Sequence, residues 1–445
     1  MKAKIISLFL FLCLTISTVT MTSCTYGWLD DYNDYMDSTD TSSDSTESNT
    51  DSTESNTETN NTEETTNQVT NNTIQIEGTN NSIAYATASG LRSAVSIYCT
   101  FETTYGGTNP WNPIPSTQAY YTTGSGVIYQ LEADGSAFII TNHHVVYDGS
   151  SNTDNHISEK IYIYLYGLED ETYAIPATYV GGSANYDIAV LRVDKSEVLK
   201  NAIETGAAAA VTIANSDELA PGMTTIAIGN PSASDADLGG ISVTKGIVSV
   251  DSEYITMTAS DNSGAVSFRV IRIDAPVNSG NSGGGLFNDE GELIGIVNAK
   301  IASSSVENIG YAIPSSVVRA IADNIIDYCY GKDCESVMRG ILGITIETSA
   351  YSTAYDAEKG LLVRYEEISV HEVTTGGLGE SILKAGDVIK SITIGDKTVT
   401  VTRQHHLIDA MLDVRAGDTV SIVIVRDGTE QTVSTAITED CLTAY

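Results

Sequence analysis

Basic side chains are scarce. The 445-residue sequence carries 22 Lys and Arg against 58 Asp and Glu, a formal net charge of −36. A chain this acidic repels phosphate backbones, so no nucleic acid is expected as a partner. Charged residues of both signs make up only 18% of the chain, which excludes a coiled coil or a charge-patterned rod. Cysteine is rare as well. Of six residues, Cys13 and Cys24 fall in the N-terminal leader, leaving Cys99, Cys329, Cys334 and Cys441. No Cys/His spacing suggests zinc, and no metal or other cofactor is implied. Cys99 sits in an apolar strand pattern and reads as a buried hydrophobe. Cys329 and Cys334 lie five positions apart across a Gly-containing turn, YCYGKDC, and could pair in an exported protein, which sequence does not decide. The N-terminal apolar run, Ile5 to Ile16, falls short of the ~20 residues of a comfortable transmembrane span.

Hydrophobic residues reach 41%, enough for real cores, and at ~150 residues per domain the length leaves room for two or three domains. Lys2 and Lys4, the apolar run, and small polar residues ending in Met21-Thr22-Ser23-Cys24 read as a secretory signal peptide over 1–23. Its end is similar to a bacterial lipobox, in which Cys24 becomes the lipidated first residue of the mature chain. Ordinary cleavage with Cys24 left as a thiol is the alternative. Residues 24–80 form an acidic Ser/Thr-rich linker with DSTESNT at 44–50 and again at 51–57, and the first basic residue after Lys4 is Arg92. Such a segment buries too little surface to fold, and is expected to be a disordered tether.

From 84 to 331 the chain reads as mostly β. Strand patterns fall at 93–101, 126–130, 137–141, 160–166, 187–193, 223–229, 241–249, 266–273 and 292–300, broken by Gly, Asn, Asp and Pro, a spacing that suggests a sandwich or barrels. A helix starting at Ile313-Pro314-Ser315-Ser316, with Val317, Ile321, Ile325 and Tyr328 on one face, stops at Gly331. Three residues in this region carry nucleophilic chemistry. Ser282 lies in Gly280-Asn281-Ser282-Gly283-Gly284, where flanking glycines permit a tight turn that exposes the hydroxyl and aims the Gly280 and Ser282 N–H groups at an oxyanion. Thr141-Asn142-His143-His144 ends an apolar strand and supplies a base that titrates near neutrality. Asp187 heads the strand DIAVLRV and could orient an imidazole. Each alone has a bland reading as a turn or strand-end residue. Together they follow the chain order His, Asp, Ser on an all-β background, the order of the chymotrypsin type of triad.

These segments resemble the HtrA (DegP/DegS-like) family of trypsin-fold serine proteases. TNHHVV is similar to that family's catalytic-His segment and selects His144, with His143 where Asn is usual. DIAVLRV is similar to its catalytic-Asp strand, and IDAPVNSGNSGGGLFN to its catalytic-Ser segment, with Gly285 where Pro is usual. AIGNPSASDADLGGISVTKGIVS and IGYAIPSSVVRAI are further similar stretches. The resemblance implies a chymotrypsin-like double β-barrel with His144 as base, Asp187 as orienter, Ser282 as nucleophile and an oxyanion hole in the turn Gly280, Asn281, Ser282. No carboxylate precedes Ser282 at the position that binds basic side chains in trypsin-like enzymes. Pro276 and Val277 fall there, so a pocket for small aliphatic side chains is expected. The segment 101–124, with Trp111, Tyr120 and Tyr121, reads as a long polar-aromatic loop, which in the family is regulatory or lies near subunit contacts.

Residues 336–440 form a second folded unit, with strand patterns at 340–346, 360–365, 388–394, 397–402, 419–426 and 430–437 and a helix over 404–413. RGILGITI, AGDVIKSI and AGDTVSIVIVRDG are similar to a PDZ domain of the HtrA type, which implies capture of peptide C-termini by the loop Ile341-Leu342-Gly343-Ile344. The stretch 366–384 departs from that pattern, and His405 and His406 at the helix start read as packing or exposed residues. The resemblance implies an exported serine endopeptidase acting on misfolded or unfolded proteins, a homotrimer, lipid-anchored on the outer face of the cytoplasmic membrane, or in the periplasm or outer membrane of a two-membrane envelope. The alternatives are a catalytically silent relative that binds unfolded chains as a holdase or scaffold, and an envelope adhesin in which the acidic stalk matters most.

Overall fold

The computed structural model describes residues 82–105, 115–231, 240–301, 309–332, 334 and 336–445. Cys24, Trp111 and the segments 1–23 and 24–80, expected as signal peptide and linker, lie outside the described residues. All the described residues belong to one compact unit, Ile76–Tyr445.

After α1 (Ser82–Leu91), six strands close into an antiparallel barrel: β1 (Ala94–Tyr105), β2 (Ser116–Leu131), β3 (Ala137–Thr141), β4 (Lys160–Leu165), β5 (Ile175–Ser183) and β6 (Ile188–Val193), in the order β1-β2-β3-β6-β5-β4. Between β3 and β4 lies the one-turn helix α2 (His143–Val146), and α3 (Glu197–Glu204) leads out of the barrel. A second barrel follows, with β7 (Thr224–Gly229), β8 (Ser242–Thr258), β9 (Ala265–Ile273), β10 (Gly285–Phe287), β11 (Leu293–Val297) and β12 (Gly310–Pro314) in the order β10-β11-β12-β9-β8-β7.

Period-two alternation builds these barrels. On β1, Val95, Ile97 and Cys99 point inward and face Leu165, Ile163 and Ile161 on β4. Cys99 is a core residue, and burial pushes its thiol up to about 12. Strands β3 and β6 are apolar at almost every position because both of their faces are covered. Ile139 and Leu191 join the core of the first barrel, whereas Phe138, Ile140, Ile188 and Val190 pack with Ile226, Ile228 and Phe287 of the second. Each such buried Ile or Leu side chain contributes roughly 1.5–3 kcal/mol. The two barrels are therefore joined by a continuous core. Helix α4 (Ser315–Cys329) lays Val317, Ile321 and Ile325 into the same core and gives way to Gly331, whose φ of +71° suits a helix stop.

The chain then enters β13 (Met338–Gly340), which pairs with the last strand, β20 (Leu442–Ala444). Between them lie β14 (Ile344–Asp356), β15 (Leu361–Val373), β16 (Val388–Ile394), β17 (Lys397–Thr400), α5 (Gln404–Ala410), β18 (Thr419–Arg426) and β19 (Thr429–Ala436). The sheet runs β14-β15-β16-β18-β19, with β17 added to β16, over a core that includes Ile368, Ile389, Ile392, Leu407, Val420 and Ile422.

Several expectations need correction. The segment 101–124 is not a long loop over its described part, because the β1–β2 ladder continues to Tyr105 opposite Ser116. Buried Phe101 stacks on Tyr120, whose hydroxyl donates to Asp148 Oδ2 at 2.7 Å, so the extension is pinned to the barrel. The stretch 340–346 is two strands separated by a turn at 341–343. The strand expected over 360–365 runs on as β15 to Val373. The ladder expected over 292–300 ends at Val297, and the helix expected over 404–413 tightens into a 3-10 turn after Ala410.

Candidate active site

Two adjacent histidines leave β3 on α2 and meet different surroundings. The His143 ring is buried, stacked on Tyr147 with centroids 5.1 Å apart, and its Nδ1 lies 2.7 Å from Ser260 Oγ. Burial pushes its pKa down to about 4, so the ring is neutral at physiological pH. The His144 ring keeps 20% of its surface exposed, and its Nδ1 sits 2.6 Å from Asp187 Oδ2. The His144 backbone amide donates to the other carboxylate oxygen at 2.9 Å.

Asp187 occupies the left-handed region, with φ of +55°, immediately before β6. For a residue with a Cβ this costs about 1–3 kcal/mol, which the surroundings must offset. The Asn142 side-chain amide donates to the Asp187 carbonyl at 2.8 Å, and that of Asn298 donates to Oδ2 at 2.8 Å. Burial of the carboxyl raises its pKa, but the His144 charge and the His144 hydrogen bonds outweigh it, and the group ends below the usual carboxylate range.

Ser282 lies on the other barrel, in the turn between β9 and β10. Gly280 and Gly283 have φ of +93° and +84°. A Cβ on Gly283 would stand 2.1 Å from the Ser125 carbonyl oxygen, so only glycine fits. The turn is tied to the first barrel through Ser125. Its amide donates to the Ser282 carbonyl at 2.9 Å, and its hydroxyl donates to the Gly280 carbonyl at 2.7 Å while accepting from the Asn230 amide at 2.8 Å. Asn281 turns back through its amide to the Asn278 carbonyl. Among the described residues, neither the Gly280 nor the Ser282 amide donates a hydrogen bond, leaving two N–H groups beside the serine. Nor does any hydrogen bond join the Ser282 hydroxyl to His144. The Asp–His half of the array is made, and the His–Ser half is open.

Pro276 is exposed, and its carbonyl accepts from Thr244 Oγ1 at 2.8 Å. Val277 is half-buried against the wall of the second barrel, near Gly310. In the C-terminal unit, the carbonyls of Ile341, Leu342 and Gly343 accept from the amides of Leu378, Gly379 and Thr374. Among the described residues the amides of 341–343 donate to nothing, and Ile344 begins β14, an edge strand. His405 is buried, with Nδ1 3.2 Å from Ser252 Oγ, a packing role. Sequence reasoning missed Ser125, Asn142 and Asn298. Gly124-Ser125-Gly126, inside β2, was the one visible signal for Ser125. Asn298 had none, since nothing in IVNAK marks a partner 111 positions away.

A family model of the trypsin-like peptidase domain matches residues 124–296. The serine protease Do-like HtrA of Bacillus subtilis (strain 168) is 34% identical over 315 residues, covering 69% of this chain and 62% of that protein. Its namesake in Lactococcus lactis subsp. cremoris (strain MG1363) is 32% identical over 330 residues, covering 71% of this chain and 70% of that one. The chain thus spans somewhat under two thirds of the Bacillus relative and somewhat over two thirds of the Lactococcus one. Among solved structures, the HtrA-type protease AlgW with a decapeptide aligns at 26% identity and a TM-score of 0.48, covering 80% of this chain and 98% of that one. With 32% identity sustained over 70% of the Lactococcus protein, this chain belongs to the HtrA family of serine proteases.

Proposed function

We propose that the chain is an exported serine endopeptidase that hydrolyses misfolded or unfolded proteins through His144, Asp187 and Ser282. The observation that carries this reading is the 2.6 Å contact of His144 Nδ1 with a buried carboxylate, together with a glycine-flanked serine on the other barrel, with two unpaired amides, whose turn packs against Thr141 and Asn142. His144 Nε2 takes the proton from Ser282 Oγ as the hydroxyl attacks the scissile carbonyl, once the open contact closes. Asp187 fixes the tautomer and stabilises the imidazolium, and the Gly280 and Ser282 amides hold the oxyanion. The imidazolium then protonates the leaving amine, and water repeats the sequence on the acyl-enzyme. One oxyanion donor is worth about 3 kcal/mol of barrier, which gives the Ser125 tether on that turn its importance.

The half-buried apolar Val277 next to Pro276 supports a preference for small aliphatic side chains before the cut. Cleavage of a peptide library strictly after Lys or Arg would refute it. The unpaired amides of 341–343 and the free edge of β14 support a PDZ-like role, with a peptide carboxylate on the turn and its backbone along the strand. Export and lipidation at Cys24 rest on the leader sequence, and trimer formation rests on the family. Among the described residues no helix is long and apolar enough to cross a membrane.

The open His–Ser contact favours a second reading, a silent holdase that keeps the fold without turnover. Casein digestion by the native chain and by Ser282→Ala separates the two. The protease reading expects loss of cleavage in the variant and covalent capture of Ser282 by an active-site phosphonate. Equal activity in both proteins removes it.

A further inference from the structure

Helix α4 ends at Cys329, and the connector to the C-terminal unit begins there. Lys332 closes a turn by donating its amide to the Cys329 carbonyl, and the turn brings Cys334 back so that the two sulfurs touch at 2.6 Å. Both sulfurs also lie against one acceptor, the Ser336 carbonyl, at 3.4 and 3.3 Å. Cys329 is buried and Cys334 partly exposed, and a cavity of about 280 Å³ lined by both gives a small thiol reagent access. The connector that follows is held to the first barrel. Ser336 bridges to Gly182 on β5, and the Arg339 guanidinium donates to the hydroxyl of Tyr186, the neighbour of Asp187.

We propose that Cys329 and Cys334 close into a disulfide that clips the connector between α4 and the C-terminal unit. The partly exposed Cys334 thiolate attacks an accepting disulfide, either oxidised glutathione or a thiol–disulfide oxidoreductase, and releases one thiol. The Cys329 thiolate then displaces the second, so the two cysteines lose two protons and two electrons while the acceptor leaves as two thiols. An oxidising compartment outside the cytoplasm supplies the acceptor, so the inference rests on the export part of the reading above and on none of its catalytic part. The clip ties Cys334 to the end of α4, just ahead of Ser336 on Gly182 and Arg339 on Tyr186.

The test uses the full chain incubated with oxidised glutathione, quenched in acid, alkylated with N-ethylmaleimide and digested without reductant. Cleavage after Lys332 should leave two peptides joined through Cys329 and Cys334, about 2 Da lighter than the dithiol pair and separated by dithiothreitol. Cys441→Ser should leave the link intact, and Cys334→Ser should abolish it. In hydrogen exchange, the reduced protein should take up deuterium about tenfold faster over 330–339, with β1 to β4 unchanged. Full alkylation of both cysteines in the oxidised sample, or a link from either to Cys441 or to a second chain, overturns the pairing. A link without any change in exchange over 330–339 overturns the clip. Since mass is the readout, an inactive Ser282→Ala protein gives the same answer, and failure of the protease reading is told apart from failure of this one.

Discussion

Asp187 and Asp409 are both buried, one between His144 and Asn298 and the other where β9 meets the C-terminal unit, and their protonation differs. Three donors converge on the Asp187 carboxylate: the amide and ring of His144 and the side chain of Asn298. Asp409 has Arg269 Nε at 3.2 Å, but its Oδ2 receives no aligned hydrogen bond. The guanidinium faces Asp217 at 2.9 Å and donates to Ser316 at 2.8 Å instead. Burial therefore pushes Asp409 up to about 7 against the pull of Arg269, with Asp217 and Asp413 adding to the rise. Desolvation acts on both carboxyls, and the number of aligned donors decides which one stays charged.

The comparison breaks most sharply at Asp187→Asn. Removing the charge while keeping the shape should lower kcat/KM on a casein-derived peptide by about 10⁴, with the fold intact by circular dichroism. A full-rate variant would show that His144 needs no anion behind it. Next comes Asn298→Ala, which takes away one of the three donors. A hydrogen bond to a charged group is worth roughly 1.5–3 kcal/mol, so kcat should fall about 10- to 100-fold with KM little changed, and the acid limb of the pH–rate profile should move. An unchanged profile with lower stability would reduce Asn298 to packing.

At the second carboxyl the effect is on stability. Asp409 binds its proton more tightly folded than unfolded, so its contribution is present below the ordinary carboxylate pKa of ~3.9 and is lost as pH rises through about 7. Asp409→Asn should flatten the melting temperature between pH 5 and pH 8 by a few degrees relative to native protein. Melting curves that keep the native slope would show Asp409 to be ionised throughout. The smallest effect belongs to His143, whose folded pKa of about 4 lies below its unfolded one. The unfolded chain binds the extra proton between those values, so stability falls as pH drops from ~6.5 toward 4. His143→Asn should soften that loss by a few degrees while leaving peptide cleavage within about threefold.

Much of this was legible in the residues. Two-sided burial made β3 and β6 into plain apolar runs, and their boundaries from the sequence hold to within a residue. The Gly-rich turn around Ser282 announced itself because its glycines are needed for left-handed backbone. The β1–β2 extension was hidden because Thr and Tyr alternate with polar residues there, a composition shared by loops and exposed ladders. Asn298 and Ser125 were hidden because their work consists of contacts between the barrels, and a pairing 111 or 155 positions apart leaves no local pattern.

By itself the sequence determined the β architecture, the order His, Asp, Ser, and the need for glycine on both sides of Ser282, because alternation and backbone permissiveness are properties of neighbouring residues. Only the tertiary structure decided that His144 faces Asp187 while His143 turns into a buried pocket. Consecutive residues on a one-turn helix point in different directions, and which direction leads to a carboxylate depends on where β6 begins in space. The same holds for the left-handed Asp187, whose strained backbone is offset by Asn142 from another strand end.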